Sequence, residues 1–161
     1  MKHLEWDELF LLLKEKYSNT IIFKYVGAHT IGIGHCSFFS NRLYNFTGRG
    51  DQDPSLNSTY AQILKTKCQG LNDTTTTVEM DPGSFQKFDS DYYNILLQNK
   101  GLFQSDAALL TNDEAKDTAE KLVSQTDFFT KFAESMKRMG AIQVLTGTAG
   151  QIRKQCWKVN S

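Results

Sequence analysis

Gly27-Ala28-His29-Thr30-Ile31-Gly32-Ile33-Gly34-His35-Cys36 is the stretch on which the reading of this chain turns. Two histidines and a thiol fall within eight residues, and three glycines let the backbone approach a neighbour closely. A phosphate-cradling loop does not fit, because Ile33 and Gly34 stand where such a loop needs Lys and Ser or Thr. A zinc site built from His29, His35 and Cys36 matches no common ligand spacing. Taken residue by residue, a glycine-rich turn holding a buried histidine stands first.

Outward from this stretch, the 161 residues are enough for one domain with its own core. Eighteen basic and 18 acidic residues cancel, so no net field draws the chain to nucleic acid or to an anionic membrane. The longest apolar run, Leu9–Leu13, is too short to span a bilayer or to form the core of a signal peptide. No signal peptide is visible. Against that, Asn45, Asn57 and Asn72 each open an Asn-x-Ser/Thr acceptor site, which points to the secretory pathway. Cys36, Cys68 and Cys156 are an odd number, so at least one thiol is unpaired within the chain.

The expected fold is mainly helical with long loops and room for a minor β-hairpin, the helices being read from periodicity. Trp6, Leu9, Phe10, Leu13 and Tyr17 space an amphipathic helix that Ser18-Asn19-Thr20 ends, followed by a short apolar run, Ile21–Val26. Residues 40–60 and 66–80 read mostly as loop, with a short helix near Tyr60–Thr66. Helices are expected over Asp91–Lys100, after a capping box from Thr111 to Glu114, and over Asp127–Met139 with Thr126 as N-cap. Ala115, Ala119, Leu122 and Val123 should face inward on the second of these. Phe128, Phe129, Phe132, Met136 and Met139 should do so on the third, which Gly140 ends.

Gly27–Gly32 resembles the proximal haem-ligand signature of the class III, secretory plant peroxidases. The resemblance continues through Asn41-Arg42-Leu43-Tyr44-Asn45-Phe46, Phe88-Asp89-x-x-Tyr92-Tyr93 and Lys100-Gly101-Leu102-Phe103-Gln104-Ser105-Asp106. It carries on through Met136–Gly140, Leu145-Thr146-Gly147 and Gly150-Gln151-Ile152-Arg153. It runs from Gly27 to Ser161 and opens abruptly, so residues 1–26 are expected to be an unrelated segment and 27–161 an incomplete, proximal domain.

The resemblance implies the following. His29 ligates the iron of one haem b, and Asp106 accepts from its other ring nitrogen, raising its basicity and stabilising high-valent iron. Thr30, Asp81, Ser84 and Asp89, with the backbone carbonyl of Lys87, hold one calcium through hard oxygens. Cys36 and Cys68 form a disulfide, and Cys156 pairs with a cysteine outside this chain. The implied activity is oxidation of phenolic donors by hydrogen peroxide, in peroxide removal and the response to oxidative stress, outside the cell.

The resemblance also defines what these residues lack. Peroxide cleavage needs a proton-moving base and a cationic donor, which the family supplies from an Arg-x-x-Phe-His-Asp-Cys helix. Here the only histidine before the signature is His3, the first arginine is Arg42, and His35 follows the ligand too closely to reach the opposite haem face. The chain alone is therefore expected to be weak or inactive. Its apolar haem-binding face would be left exposed, and it would need a distal-half polypeptide. The alternatives are a non-catalytic haem- or partner-binding glycoprotein fragment, or a disulfide-stapled module that binds no haem.

Overall fold

A computed structural model describes residues 26–142 and 144–160. The helix and apolar run expected before Val26 lie outside them. Six α-helices are described: α1 (Ser40–Tyr44), α2 (Ser58–Lys67), α3 (Asp91–Leu97), α4 (Gln104–Ala108), α5 (Asp113–Leu122) and α6 (Gln125–Gly140). A 3-10 turn, Val26–Thr30, carries the glycine-histidine stretch. Strands β1 (Ile33–His35) and β2 (Thr77–Glu79) pair antiparallel, with Gly34 opposite Val78. The mainly helical expectation is met.

The strand pair is not a hairpin. Its strands are joined through residues 36–76, and the staple is chemical: Cys36 and Cys68 form a disulfide with their Cα atoms 5.6 Å apart. Both cysteines are wholly buried, in a core cluster with Phe39, Leu43, Leu64, Val78 and Leu102. Tyr92, Tyr93 and Leu96 of α3, Ala115, Ala119 and Leu122 of α5, and Phe128 of α6 form a second cluster. Val123, expected on the same inward stripe, is half-buried at its edge. Gly27 explains why a glycine leads the signature: a Cβ there would lie 2.6 Å from the Tyr93 hydroxyl and 2.7 Å from the Phe128 ring. At Gly34 a Cβ would lie 3.0 Å from the Phe103 ring. The close approach is thus to the protein's own aromatic side chains.

Local capping corrects several boundaries. Asn57 accepts from the Tyr60 amide at 3.0 Å and starts α2 two residues earlier than expected. Asn112, not Thr111, caps α5 by accepting from Ala115 N at 3.0 Å. Thr111 instead donates back to the Ala108 carbonyl. Two good capping residues stand side by side there, and the register of the apolar stripe chooses the second. Likewise α6 starts after Ser124, leaving Thr126 inside its first turn. Residues 40–44, expected as loop, are helical. The helix from Asp91 stops at Leu97, and Asn99 adopts φ 58° just beyond it.

The expected buried face of α6 is only partly buried. Phe128 is covered, whereas Phe129 and Met136 remain 40% and 41% exposed and Phe132 and Met139 are half-buried. Phe88 gathers the start of this face, contacting Phe128, Phe129 and Phe132 with ring centroids 4.9–5.7 Å apart. Beyond it, the described residues give the stripe incomplete cover. Ile152 and Trp157 near the end of the chain are 96% and 81% exposed.

Candidate active site

His29 lies at the seam between the two cores. Its ring packs against Phe103, which borders the first cluster, and edge-on against Tyr92 of the second, at centroid distances of 5.2 and 5.8 Å. Its Nδ1 sits 2.9 Å from Asp106 Oδ1, across 77 residues of chain. The Asp106 side chain is 2% exposed and that of His29 29% exposed.

The fold fixes Asp106 from three sides. It occupies the first turn of α4, where Oδ2 accepts from the Phe103 amide at 2.8 Å. The Tyr92 hydroxyl donates to Oδ1 at 2.9 Å. Because both oxygens already accept from N–H or O–H donors, the third partner must also donate, so His29 carries its proton on Nδ1. Nε2 is left with a free lone pair, and no described residue hydrogen-bonds to it. That is the state in which imidazole binds a metal. Burial, and the Asp106 charge next, push the Tyr92 phenol well above its ordinary pKa, so its hydroxyl stays a donor.

The loop carrying Phe103 is itself pinned from behind. Buried Arg42 on α1 donates from Nη1 to the carbonyls of Gly101, Leu102 and Phe103 at 2.8, 2.7 and 2.9 Å. Its Nε donates to Asp53 at 2.7 Å. Arg42, Asp53, Phe103 and Tyr92 have no role in the sequence reading beyond membership of motifs, or none at all. An arginine amid Leu43, Tyr44 and Phe46 was the available signal, since a buried guanidinium requires a carboxylate or carbonyls around it.

Next to His29, the Thr30 hydroxyl is fully buried at the centre of an oxygen cluster. It lies 3.2 Å from Asp81 Oδ2, 3.1 Å from Asp89 Oδ1 and 3.4 Å from the Lys87 carbonyl. Ser84 donates to Asp89 Oδ2 at 2.6 Å. One hydroxyl proton cannot satisfy three acceptors, so the cluster has an excess of lone pairs and negative charge. Burial, backed by the charge of Asp89, pushes Asp81 up to about 6, although the Thr30 hydrogen bond pulls it down. Asp89 is also raised by burial, but hydrogen bonds from Ser84, the Asp91 amide and Thr30 outweigh this and leave it below the usual range. Two carboxylates with neutral oxygens form the donor set of a hard cation. No cluster of three or more His, Cys, Asp or Glu able to hold a metal occurs among the described residues.

The other expected sites are dispersed. Cys36 is in the disulfide, and Cys156 is a free, exposed thiol. His35 is exposed on β1 and packs edge-on with Phe38. Asn72 is exposed. Asn45 and Asn57 are half-buried, and their side-chain oxygens accept from Gly50 N and Tyr60 N. No described helix is long and apolar enough to cross a membrane.

A family model described as peroxidase matches residues 8–125. The chain belongs to the peroxidase family. This peroxidase chain is 55% identical over 138 residues to Peroxidase 3 of Arabidopsis thaliana, covering 84% of the chain and 42% of that relative. It is 54% identical over 137 residues to Peroxidase 39 of the same plant, covering 83% and 42%. With Peroxidase 1 of Oryza sativa subsp. japonica it shares 47% identity over 138 residues, covering 82% and 42%. The peroxidase chain thus spans about two-fifths of the length of these relatives.

Proposed function

We propose that residues 27–161 are the haem-holding, proximal half of a secreted plant peroxidase, with His29 Nε2 as the iron ligand. The observation that carries this reading is the 2.9 Å contact of His29 Nδ1 with buried Asp106, which places the ring proton on Nδ1 and leaves Nε2 without a hydrogen-bond partner among the described residues. The surroundings suit an apolar planar group: Ala28 is exposed beside the ligand, and Ile31, Ile33 and Phe38 in the same stretch are 44%, 52% and 72% exposed. Haem b, when bound, would supply redox-active iron for the oxidation of phenolic donors by hydrogen peroxide.

The chain's own residues then have separate tasks. His29 holds the group and orients it. Asp106 keeps the proton at Nδ1 and raises the electron density of the ring. Phe103 and Tyr92 stop the ring from turning. The Arg-x-x-Phe-His-Asp-Cys pattern that would supply the acid–base pair for the peroxide proton does not occur in the sequence. Haem-loaded chain is therefore expected to oxidise a phenolic donor with peroxide far more slowly than an intact relative. Turnover equal to that of the relative would overturn the assignment of peroxide chemistry to the other half. The exposed apolar tail, Ile152 and Trp157, favours a second reading, a non-catalytic haem- or partner-binding glycoprotein fragment. Asn72 is the most open of its glycan acceptors. Haem binding with no turnover, even when a relative's distal half is added, selects that reading.

We also assign the Thr30, Asp81, Ser84, Lys87 carbonyl and Asp89 cluster to one calcium ion, which would relieve its crowding of acceptors. Because Thr30 is the neighbour of His29, the ion would brace the ligand segment. At a hundredfold excess over its dissociation constant, calcium should stabilise the fold by about 2.7 kcal/mol. Thermal unfolding with calcium and with chelator measures this. Asp89→Asn should remove the difference, and equal melting temperatures for the unmodified chain in both conditions would contradict the site.

A further inference from the structure

Asp106 Oδ1 serves two donors at once. His29 Nδ1 and the Tyr92 hydroxyl both lie 2.9 Å from it, while Oδ2 is taken by the Phe103 amide. Tyr92 is 1% exposed, so its hydroxyl has no access to water as an alternative partner. Its ring stands at 86° to that of His29. A phenylalanine would fill the same apolar space without a hydroxyl to desolvate, and burying an unpaired hydroxyl is unfavourable. Here the hydroxyl meets the carboxylate that also touches the histidine.

We propose that Tyr92 is a positioning residue that sets how strongly Asp106 acts on His29, by drawing on the same carboxylate oxygen. Two donors on one oxygen share its lone-pair density, and a hydrogen bond to the charged form of a carboxylate lowers its basicity. The His29–Asp106 bond is therefore weaker than the isolated pair would make it. Tyr92 trims the electron density reaching Nε2, and its second anchor keeps Oδ1 aimed at Nδ1. The consequence for iron rests on the reading of His29 as its ligand; the effect on the imidazole does not.

Two changes at position 92 of the full chain test this in opposite directions. Tyr92→Phe keeps the ring and removes the hydroxyl, and 3-fluorotyrosine at the same position makes the hydroxyl a stronger donor. In haem-free protein, the NMR resonance of the His29 Nδ1 proton should move downfield in Tyr92→Phe and upfield with fluorotyrosine. If Tyr92→Phe fails to fold, the fluorotyrosine shift decides alone. In haem-loaded protein, Tyr92→Phe should raise the iron–imidazole stretching frequency and favour ferric over ferrous iron by about three- to tenfold, the worth of one net hydrogen bond. A His29 proton resonance that does not move with fluorotyrosine overturns the proposal. An iron–imidazole band missing from the unmodified chain overturns the iron assignment instead, and the proton resonance still reports on Tyr92.

Discussion

Asp53→Ala should lower the unfolding free energy by about 3–5 kcal/mol, because it leaves a buried guanidinium without its counter-charge. Arg42 and Asp53 are each 1% exposed and meet at 2.7 Å. The three carbonyls bound by Arg42 Nη1 satisfy hydrogen-bond geometry but carry no net charge, so they cannot replace the carboxylate. Burial raises the Asp53 carboxyl, but hydrogen bonds from Ser55 and from Arg42 outweigh it and hold the pKa below the usual carboxylate value. The pair therefore contributes stability above the ordinary carboxylate pKa and loses it as pH falls through the depressed one. Urea unfolding at neutral pH measures the loss, and acid should narrow the gap between the two proteins. The exposed pair Lys131–Glu134 is the contrast, since its side chains are 45% and 46% exposed and its removal should be nearly silent. A change below 1 kcal/mol in Asp53→Ala would show that Arg42 is held by its carbonyls alone.

Replacing both members of the disulfide, Cys36→Ala with Cys68→Ala, should destabilise the fold by roughly 3–4 kcal/mol in the chain-entropy model. The two cysteines are 32 residues apart, and the loop between them contains α1, α2 and the polar turns. A loop of this length restricts the unfolded chain strongly, and that freedom returns when the link is cut. The strands beside the link depend on it as well: Cys36 follows β1 directly, and its amide donates to the Thr76 carbonyl at 2.9 Å. Equilibrium unfolding of the double variant, compared with the oxidised parent, measures the change. Reduction of the parent should reproduce most of the loss, and equal stability of the oxidised and reduced parent would contradict it.

What the sequence allowed to be read depended on how local the physics was. Helix α2 and the stripe of Ala115, Ala119 and Leu122 were visible because apolar spacing and capping residues act within a few positions. The exact N-caps were not, since Thr111 and Asn112 are both good caps and only packing chooses between them. The β1–β2 pair was invisible as such. Each strand has three residues, and the two are separated by residues 36–76, so no short-range pattern joins them. His29 and Asp106 are 77 residues apart, so no local pattern joins them, and only the likeness to a family did so. That likeness named Asp106 but gave no role to Tyr92 or Arg42, whose contributions exist only once the chain is folded around the carboxylate. The incomplete cover of Phe129 and Met136 was also beyond periodicity, which shows an apolar stripe but not whether anything lies against it.

In the proposed site the imidazole of His29, held by Asp106, binds iron through its other nitrogen. Titrating haem into the full chain and into His29→Ala, with the Soret absorption as readout, tests it most directly. Saturable, one-to-one binding with an imidazole-ligated spectrum is expected in the unmodified chain, with loss of that spectrum in His29→Ala. Identical spectra and affinities in the two proteins would contradict it.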